Sequence, residues 1–296
     1  MTLVWASGYN GITDPDAQTY IAAVEAAAGQ TIEGDVALAI NDFVVGCKTD
    51  GIWDAIKASC ILAGARTLSG ALVPLKGTAP TNNNFVSGDY NRETGLVGDG
   101  STKYLDSNRA NNADPQNSRH LSVYATTATT SAASGSNVFP CYIGSGYTSG
   151  GSLIQRQPSN SQFLRCKLSD NVESQGPSGS GSATGLIAVN RSSSAQYSLR
   201  ANGANTAFNV TSTVPQSRSI GVFRQFEEAI ITYNNARLTF YSIGESIDLE
   251  QLDTRTTRLM NLISYSLASG LPDLSTMDLD AASYIGAVYR AGGTLS

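Results

Sequence analysis

The sequence holds a single histidine, His120, in 296 residues. One imidazole does not build a multi-histidine zinc site. His120 lies in Ser118-Arg119-His120-Leu121-Ser122-Val123, at the start of a strand-like run, and no GxSxG elbow surrounds a candidate serine. It is expected to be structural or a surface residue. Charge is also scarce. Asp, Glu, Lys and Arg make up 15% of the chain, and the net charge is −5. A groove that neutralises phosphates needs clustered bases, and the 19 Lys and Arg residues are scattered, so nucleic acid is not an expected partner. No apolar run approaches the roughly 20 residues of a membrane span, so a membrane is not expected either. Met1-Thr2-Leu3-Val4-Trp5 has neither a basic n-region nor an apolar h-region and does not read as a secretory leader.

Other chemical signatures are missing as well. The four cysteines, Cys47, Cys60, Cys141 and Cys166, form no CxxC pair, and a chain this large does not need disulfides. They are expected to be reduced core residues. Gly98-Asp99-Gly100-Ser101 and Gly144-Ser145-Gly146 lack the GK[ST] ending of a phosphate loop and read as turns. Glycosidases need two carboxylates facing one sugar, whereas adjacent Glu227 and Glu228 on a strand point to opposite faces. The expectation is a protein that is not an enzyme.

What is present is apolar material for a sizeable core, 41% of residues, together with 29 glycines and abundant Ser, Thr and Asn. That mixture suits strands joined by many turns. The chain opens, however, with helical periodicity. Asp14-Pro15-Asp16 is a start signal, Tyr20, Ile21, Val24 and Ala28 recur at helical spacing, and Gly29 stops the pattern. A second helix is predicted from Gly34 to Val45, with Val36, Ile40, Phe43 and Val44 on one face. Trp53, Ile56, Cys60 and Ala63 fit one stripe of a third.

From about Asn84 the rhythm becomes alternation, as in Leu121/Val123, Leu164/Cys166/Leu168, Ile187/Val189, Tyr197/Leu199 and Leu238/Phe240. Short strands separated by Gly, Ser, Asn and Pro clusters indicate a sandwich or barrel. The Ser-rich stretches 129–137 and 174–184 read as long exposed loops of it. Helix returns near Ile247, where Leu249, Leu252, Thr256, Leu259 and Ile263 step by three and four. This stripe fits a helix lying on the sandwich, or a short coiled-coil contact between subunits.

The most specific internal signal is a repeat. Asp14-Pro15-Asp16-Ala17-Gln18-Thr19-Tyr20-Ile21-Ala22-Ala23-Val24 matches Asp278-Leu279-Asp280-Ala281-Ala282-Ser283-Tyr284-Ile285-Gly286-Ala287-Val288, with a looser continuation through residues 292–295. Each copy is one amphipathic helix, too short to stand alone, so each must dock on something. Tyr20, Ile21, Val24, Tyr284, Ile285 and Val288 are the candidate docking residues, toward the chain's own sandwich or toward a neighbouring subunit. Two polar runs are candidates for sugar contact, one with Asn84, Asp89, Tyr90 and Asn91, the other with Asn111 and Asn112. Runs of this kind are more often ordinary turn chemistry.

Three segments resemble a known family. Gly95-Leu96-Val97-Gly98-Asp99-Gly100-Ser101-Thr102-Lys103-Tyr104-Leu105-Asp106 resembles an early strand pair of concanavalin A-like (laminin-G-like) jelly rolls. Tyr197-Ser198-Leu199-Arg200-Ala201-Asn202-Gly203 looks like their strand followed by an Asn-Gly hairpin, and Phe240-Tyr241-Ser242-Ile243-Gly244-Glu245 before Leu249-Glu250-Gln251-Leu252 resembles their last strand and closing helix. Ala39-Ile40-Asn41-Asp42-Phe43-Val44-Val45-Gly46-Cys47-Lys48 with Gly51-Ile52-Trp53-Asp54-Ala55-Ile56 looks like a segment of tailed-bacteriophage structural proteins, as does the repeated helix. The resemblance implies a mainly β protein, an antiparallel jelly-roll β-sandwich over residues 81–245. An N-terminal helical anchoring segment spans 1–80, and C-terminal helices span 246–296. It further implies a virion protein made in the host cytoplasm, of tail-fibre, baseplate or adhesin type. Its implied partners are other virion proteins, further copies of itself (a trimer among the options) and a host-surface glycan. A capsid decoration or head-fibre protein is the alternative, and a polysaccharide-degrading enzyme a third. No cofactor is implied; the family's calcium and sugar ligands have no matching motif here.

Overall fold

A computed structural model describes residues 11–132, 139–157, 162–227, 232–268, 271 and 273–291. Helices α1 (Pro15–Ala28) and α2 (Gly34–Thr49) open the chain; a short α3 (Leu68–Ala71) follows, and α4 (Leu249–Leu267) and α5 (Leu279–Arg290) close it. The fifteen strands among the described residues are β1 (Ile56–Ile61), β2 (Thr81–Asn83), β3 (Tyr90–Asn91), β4 (Gly95–Val97), β5 (Tyr104–Ala110), β6 (Arg119–Thr127), β7 (Cys141–Gly144), β8 (Gly151–Gln157), β9 (Phe163–Asp170), β10 (Ser174–Gln175), β11 (Gly185–Arg191), β12 (Tyr197–Ala201), β13 (Ala204–Phe208), β14 (Ser219–Val222) and β15 (Arg237–Gly244). They form two antiparallel sheets. One runs β13-β12-β11-β6-β15-β4-β3 with β1 also on β15, the other β10-β9-β8-β7-β14-β5-β2.

The sheets meet through one alternate set of side chains, among them Leu105, Val123, Ile143, Leu168, Val222 and Tyr241. On the other side of the eight-stranded sheet, Tyr124, Leu186, Ala188 and Phe240 belong to a second core with α1, α2 and α4. Phe43 of α2 meets Phe240 edge to face at 5.7 Å. The molecule is therefore three layers: helices, sheet, sheet. The mainly β sandwich with helices at both ends is present as the alternation indicates.

Each long helix starts where the local chemistry directs. Asp14 accepts from the amides of Asp16 and Ala17, Asp248 from Glu250 and Gln251, and Asp278 from Asp280 and Ala281. Gly29 ends α1 in the left-handed region at φ 67°. The Leu249–Ile263 stripe is turned inward, and Leu252, Thr256, Leu259 and Ile263 are fully buried. That stripe is thus spent inside the chain, on α2 and the sheet. Two bidentate ion pairs fix the register of α4 on α2: Arg255 with Asp50, and Arg258 with Asp42.

Three expectations change. Trp53 to Ala63 is not a helix. Trp53–Ala55 is a 3₁₀ turn leading into β1, which pairs antiparallel with β15 from Ile56↔Gly244 to Ile61↔Phe240. The strand is buried on both faces, Ala58 and Cys60 toward the inter-sheet core and Ile56 and Ile61 toward the helices. Such a run has no polar face, so its apolar residues also fit a helical stripe. The segment 95–106 is not one strand pair: β4 lies in the eight-stranded sheet and β5 in the other. Asp99 turns the chain between them, its carboxylate accepting from the amides of Ser101, Thr102 and Lys103. The Ser-rich stretch 174–184 is not wholly exposed. Ser174 and Ser180 are buried, and Ser180 Oγ accepts from Leu164 N at 3.0 Å. Of 129–137, residues 133–137 lie outside the described residues.

The hairpin of residues 197–208 forms as its Asn-Gly pair requires. Asn202 and Gly203 take φ of 52° and 73°, and β12 pairs with β13 from Tyr197↔Phe208 to Ala201↔Ala204.

The two copies of the repeat dock differently. Tyr20, Ile21 and Val24 are 5%, 3% and 2% exposed, whereas Tyr284 is 71% exposed and Ile285 and Val288 are half-buried. In α5 the buried positions are Ala282 and Gly286, one residue further round the helix. A Cβ at Gly286 would lie 1.9 Å from Asn261 O, so α5 meets α4 backbone to backbone. The continuation of the repeat at 292–295 lies outside the described residues.

Truncating Tyr20 to Ala should cost about 3–5 kcal/mol in a urea unfolding series. The same change at Tyr284 should stay within about 0.5 kcal/mol. Equal costs would mean that α5 buries its tyrosine as α1 does. All four cysteines are buried and free, and burial pushes the Cys60 and Cys166 thiols up to about 12. At pH 8 the folded protein should resist iodoacetamide while the unfolded chain takes up four labels by intact mass.

Candidate functional site

The layer order leaves one broad sheet face uncovered by helices, the outer face of the seven-stranded sheet. Alternation determines what it carries. On β9, Leu164, Cys166 and Leu168 point into the inter-sheet core, so Arg165 and Lys167 point out. On β5, Leu105 points in, so Tyr104 and Asp106 point out. Lys167 folds under the turn that follows β7. Its ammonium donates to Tyr147 O at 2.7 Å and Thr148 O at 3.2 Å and sits 5.4 Å from the Tyr147 ring centroid.

Tyr147, Thr148, Ser149, Lys167, Asn171 and Glu173 line a cavity of 370 Å³ at this place. Burial lowers the pKa of Lys167, against the pull of Asp170, Glu173 and Glu227. Burial raises that of Glu173, opposed by Arg165 and Lys167. Glu173 binds Arg165 at 3.0 Å through one oxygen, while its other carboxylate oxygen is buried without a partner. Burial and the Glu173 charge raise the Tyr147 phenol.

The cavity rests on a rigid floor. Glu227 accepts from the amides of Tyr147 and Thr148 and pairs with Arg218 at 3.3 Å. Beneath, the fully buried Arg191–Asp170 pair ties β11 to β9, with Arg191 Nε donating to Leu168 O at 2.8 Å. Asp170 O in turn accepts from Gly150 N at 3.1 Å, which closes the Tyr147 turn. The result is a half-buried phenol ring beside exposed hydroxyl and amide groups. That pairing suits a polyol with one apolar face.

A larger cavity, 530 Å³, lies between the eight-stranded sheet and the end of α5, lined by Arg237, Tyr124, Arg290 and Ala291 among others. It is bounded by Ala291, the last described residue.

The proposed sugar-contact residues are not one constellation. Asn84 donates to Thr102 O at 3.0 Å, Asp89 accepts from Val86 N and binds Lys103, and the Tyr90 hydroxyl donates to Ala65 O at 2.8 Å. Asn91 Oδ1 caps the amides of Glu93 and Thr94, both at 2.9 Å. These lie around β2 to β4. Asn111 follows β5; it is buried and donates to Gly150 O at 2.9 Å, with Asn112 exposed beside it. Asn84 reaches the start of β5 and Asn111 leaves its end. Seven residues of extended chain therefore separate them, roughly 20 Å. Asn111 supports the turn beside the Tyr147 cavity without lining it.

No family model matches the chain, and no curated protein does. The solved structures similar to it at a distance include three from different sources. They are domain 4 of an extracellular arabinanase from Geobacillus stearothermophilus in complex with arabinotriose (TM-score 0.37, 11% identity, 61% of this chain and 82% of that one), the binding domain of botulinum neurotoxin serotype D (0.44, 12%, 68% and 51%) and tailspike protein 2 of an Escherichia coli bacteriophage (0.38, 15%, 63% and 27%). This chain thus spans 51% of the neurotoxin domain and 27% of the tailspike.

Sequence reasoning passed over Tyr147, Lys167, Asn171 and Glu173. Only Lys167 carried a signal, because the Leu164/Cys166/Leu168 alternation already turns it to the outer face. The other three sit in turns, where position follows from which strands pair. No group of three or more His, Cys, Asp or Glu suited to a metal occurs among the described residues. Glu228 lies outside them, and Glu227 is held as above.

His120 is buried under α4's entry. Glu245 O, an acceptor only, lies 2.6 Å from Nδ1, so Nδ1 carries the proton; Nε2 accepts from Ser242 Oγ at 2.6 Å. Burial pushes the imidazole down to about 4 from 6.5. Between those values the unfolded chain takes up a proton that the folded one refuses, so stability falls as pH drops through this window. The loss should be on the order of 3 kcal/mol across the window. Urea midpoints of wild type and His120→Asn at pH 7 and pH 4.5 check it. Identical pH slopes would assign the acid sensitivity to other groups.

Proposed function

We propose that this chain is a bacteriophage virion component of the tail-fibre, baseplate or adhesin type, whose sandwich binds a host-surface glycan through the outer face of its seven-stranded sheet. The observation that carries the reading is the one-sided architecture. Helices cover one sheet, and the free sheet bears a 370 Å³ cavity that combines a tyrosine ring with amide and hydroxyl groups. The resemblance of residues 39–56 and of the repeated helix to tailed-phage structural segments supports the virion setting. Other virion proteins and further copies of the chain are its assembly partners in this reading.

The chain acts by binding and not by catalysis. Glu173 and Glu227 are each tied to an arginine, and Glu227 to two backbone amides as well. Glu227 is thereby not placed as a free acid or base on a sugar.

Purified full-length protein on a glycan array should bind a defined subset of glycans. Tyr147→Ala should weaken that binding about tenfold, on the order of 1.4 kcal/mol, without moving the melting temperature. Absence of any glycan binding, with retention on purified capsids, would replace the adhesin by a decoration protein. Release of reducing sugar from host polysaccharide would replace it by an enzyme.

A further inference from the structure

The outer face carries a second feature beside the Tyr147 cavity. β14 ends at Val222, and the next residue, Phe223, is held in the left-handed region at φ 69°. That conformation is unusual for a bulky residue and persists only where the surroundings enforce it. Here they do. The Phe223 ring is fully buried, 5.1 Å from Phe85, and its amide donates to Tyr142 O at 2.8 Å. The turn folds the chain back over its own strand. Gly221 admits it, because a Cβ there would lie 3.0 Å from the Phe226 ring and 2.8 Å from Arg224 O.

The product is a guanidinium held among three half-buried rings. Arg224 Cζ lies 4.4 Å from the Tyr104 centroid, 4.7 Å from Phe226 and 5.5 Å from Tyr233. Tyr104 packs edge-on against Phe226 at 5.6 Å, so the cage is itself ordered. Arg224 Nε donates to Gln225 O at 3.2 Å, while its two terminal nitrogens bond no described residue, and no described carboxylate pairs with it. Arg66, Arg92, Arg109, Arg165, Arg191, Arg200, Arg218, Arg255 and Arg258 pair with acids, whereas Arg119, Arg156, Arg237 and Arg290, like Arg224, have no described carboxylate within ion-pair distance; what sets Arg224 apart is the cage of rings. The rings hold the guanidinium in place, and its fork matches a planar anionic group.

The cage adjoins the cavity. Glu227, three residues after Arg224, accepts from the Tyr147 and Thr148 amides. Three residues of chain span at most about 10 Å. The backbone that carries Arg224 is therefore a near neighbour of the backbone whose Glu227 holds the Tyr147 turn.

We infer that Arg224, caged by Tyr104, Phe226 and Tyr233, is a subsite for the acidic group of a negatively charged sugar, so that the glycan bound by this face is an acidic one. This rests on the glycan-binding reading above. A carboxylate, as in a uronate or sialate, and a sulfate ester offer the same anionic oxygens.

The test uses the full-length protein on an array of matched pairs: sialylated, uronate-containing and sulfated glycans beside the same glycans with the acid esterified or removed. Wild type should prefer the acidic member at least tenfold, and 0.5 M NaCl should reduce that preference. Arg224→Gln should bring the ratio close to one, and Arg224→Lys should leave it intermediate, because a lysine keeps the charge but not the fork. Tyr147→Ala should weaken both members of a pair alike. Preference for carboxylated or for sulfated members identifies the source of the charge, and either supports the inference. Equal binding of acidic and neutral members by wild type overturns it while leaving the glycan reading intact. So does an unchanged ratio in both Arg224 variants. Binding to no glycan at all overturns both.

Discussion

Burial of β15 on both faces is the constraint on which the rest of the structure depends. Phe240 points from this strand into the helical layer, and Tyr241 and Ile243 point into the inter-sheet core. Along its edges it pairs with β6 on one side and with β1 and β4 on the other. A strand in that position links segments distant in sequence: β1 from the N-terminal block, the centre of the sandwich, and α4, which begins five residues after the strand ends. The helical segment and the sandwich consequently meet at this strand, with one core on each of its faces, and a strand from residues 1–80 is part of the larger sheet.

Sealing one sheet with helices leaves the outer face of the other free of helices. The ion pairs Arg255–Asp50, Arg258–Asp42 and Arg200–Asp253 hold the seal from the side, tying α4 to α2 and to β12. The opposite sheet is arranged in a different way. Its buried Asp170, and Arg191 and Arg119 reaching across from the eight-stranded sheet, stabilise turns instead of helices. They hold the Tyr147 turn in place through backbone contacts such as Asp170 O with Gly150 N. Buried ion pairs of this kind add little net stability but penalise any alternative in which one partner is left alone. They serve to hold one loop geometry.

The repeated helix shows how identical local signals acquire different roles. Both copies carry the same Asp cap and the same Tyr-Ile-x-x-Val spacing. In α1 the neighbouring surface accepts the large residues. In α5 the neighbour is α4 at backbone distance, and the residues buried there are the small Ala282 and Gly286. Tyr284 is turned outward as a result, while Ile285 and Val288 stay half-buried.

The sequence by itself determined the elements whose cause is local. Caps at Asp14, Asp248 and Asp278, the Asn202-Gly203 hairpin and the two-residue alternation of the sandwich strands are consequences of neighbouring residues, and each was legible. The scarcity of histidine and of clustered bases likewise bounded the chemistry. Tertiary structure alone decided matters that depend on residues far apart. It decided that residues 56–61 are a strand, because both faces of that segment are buried and no polar face marks its period. It placed Asn84 and Asn111 at opposite ends of β5, although their composition looks alike. It brought Tyr147, Lys167 and Glu173 to one cavity, and Arg224 between Tyr104 and Tyr233. The pairing of β9 with β8 and of β14 with β5 makes those groupings, and such pairings leave no periodic trace along the chain.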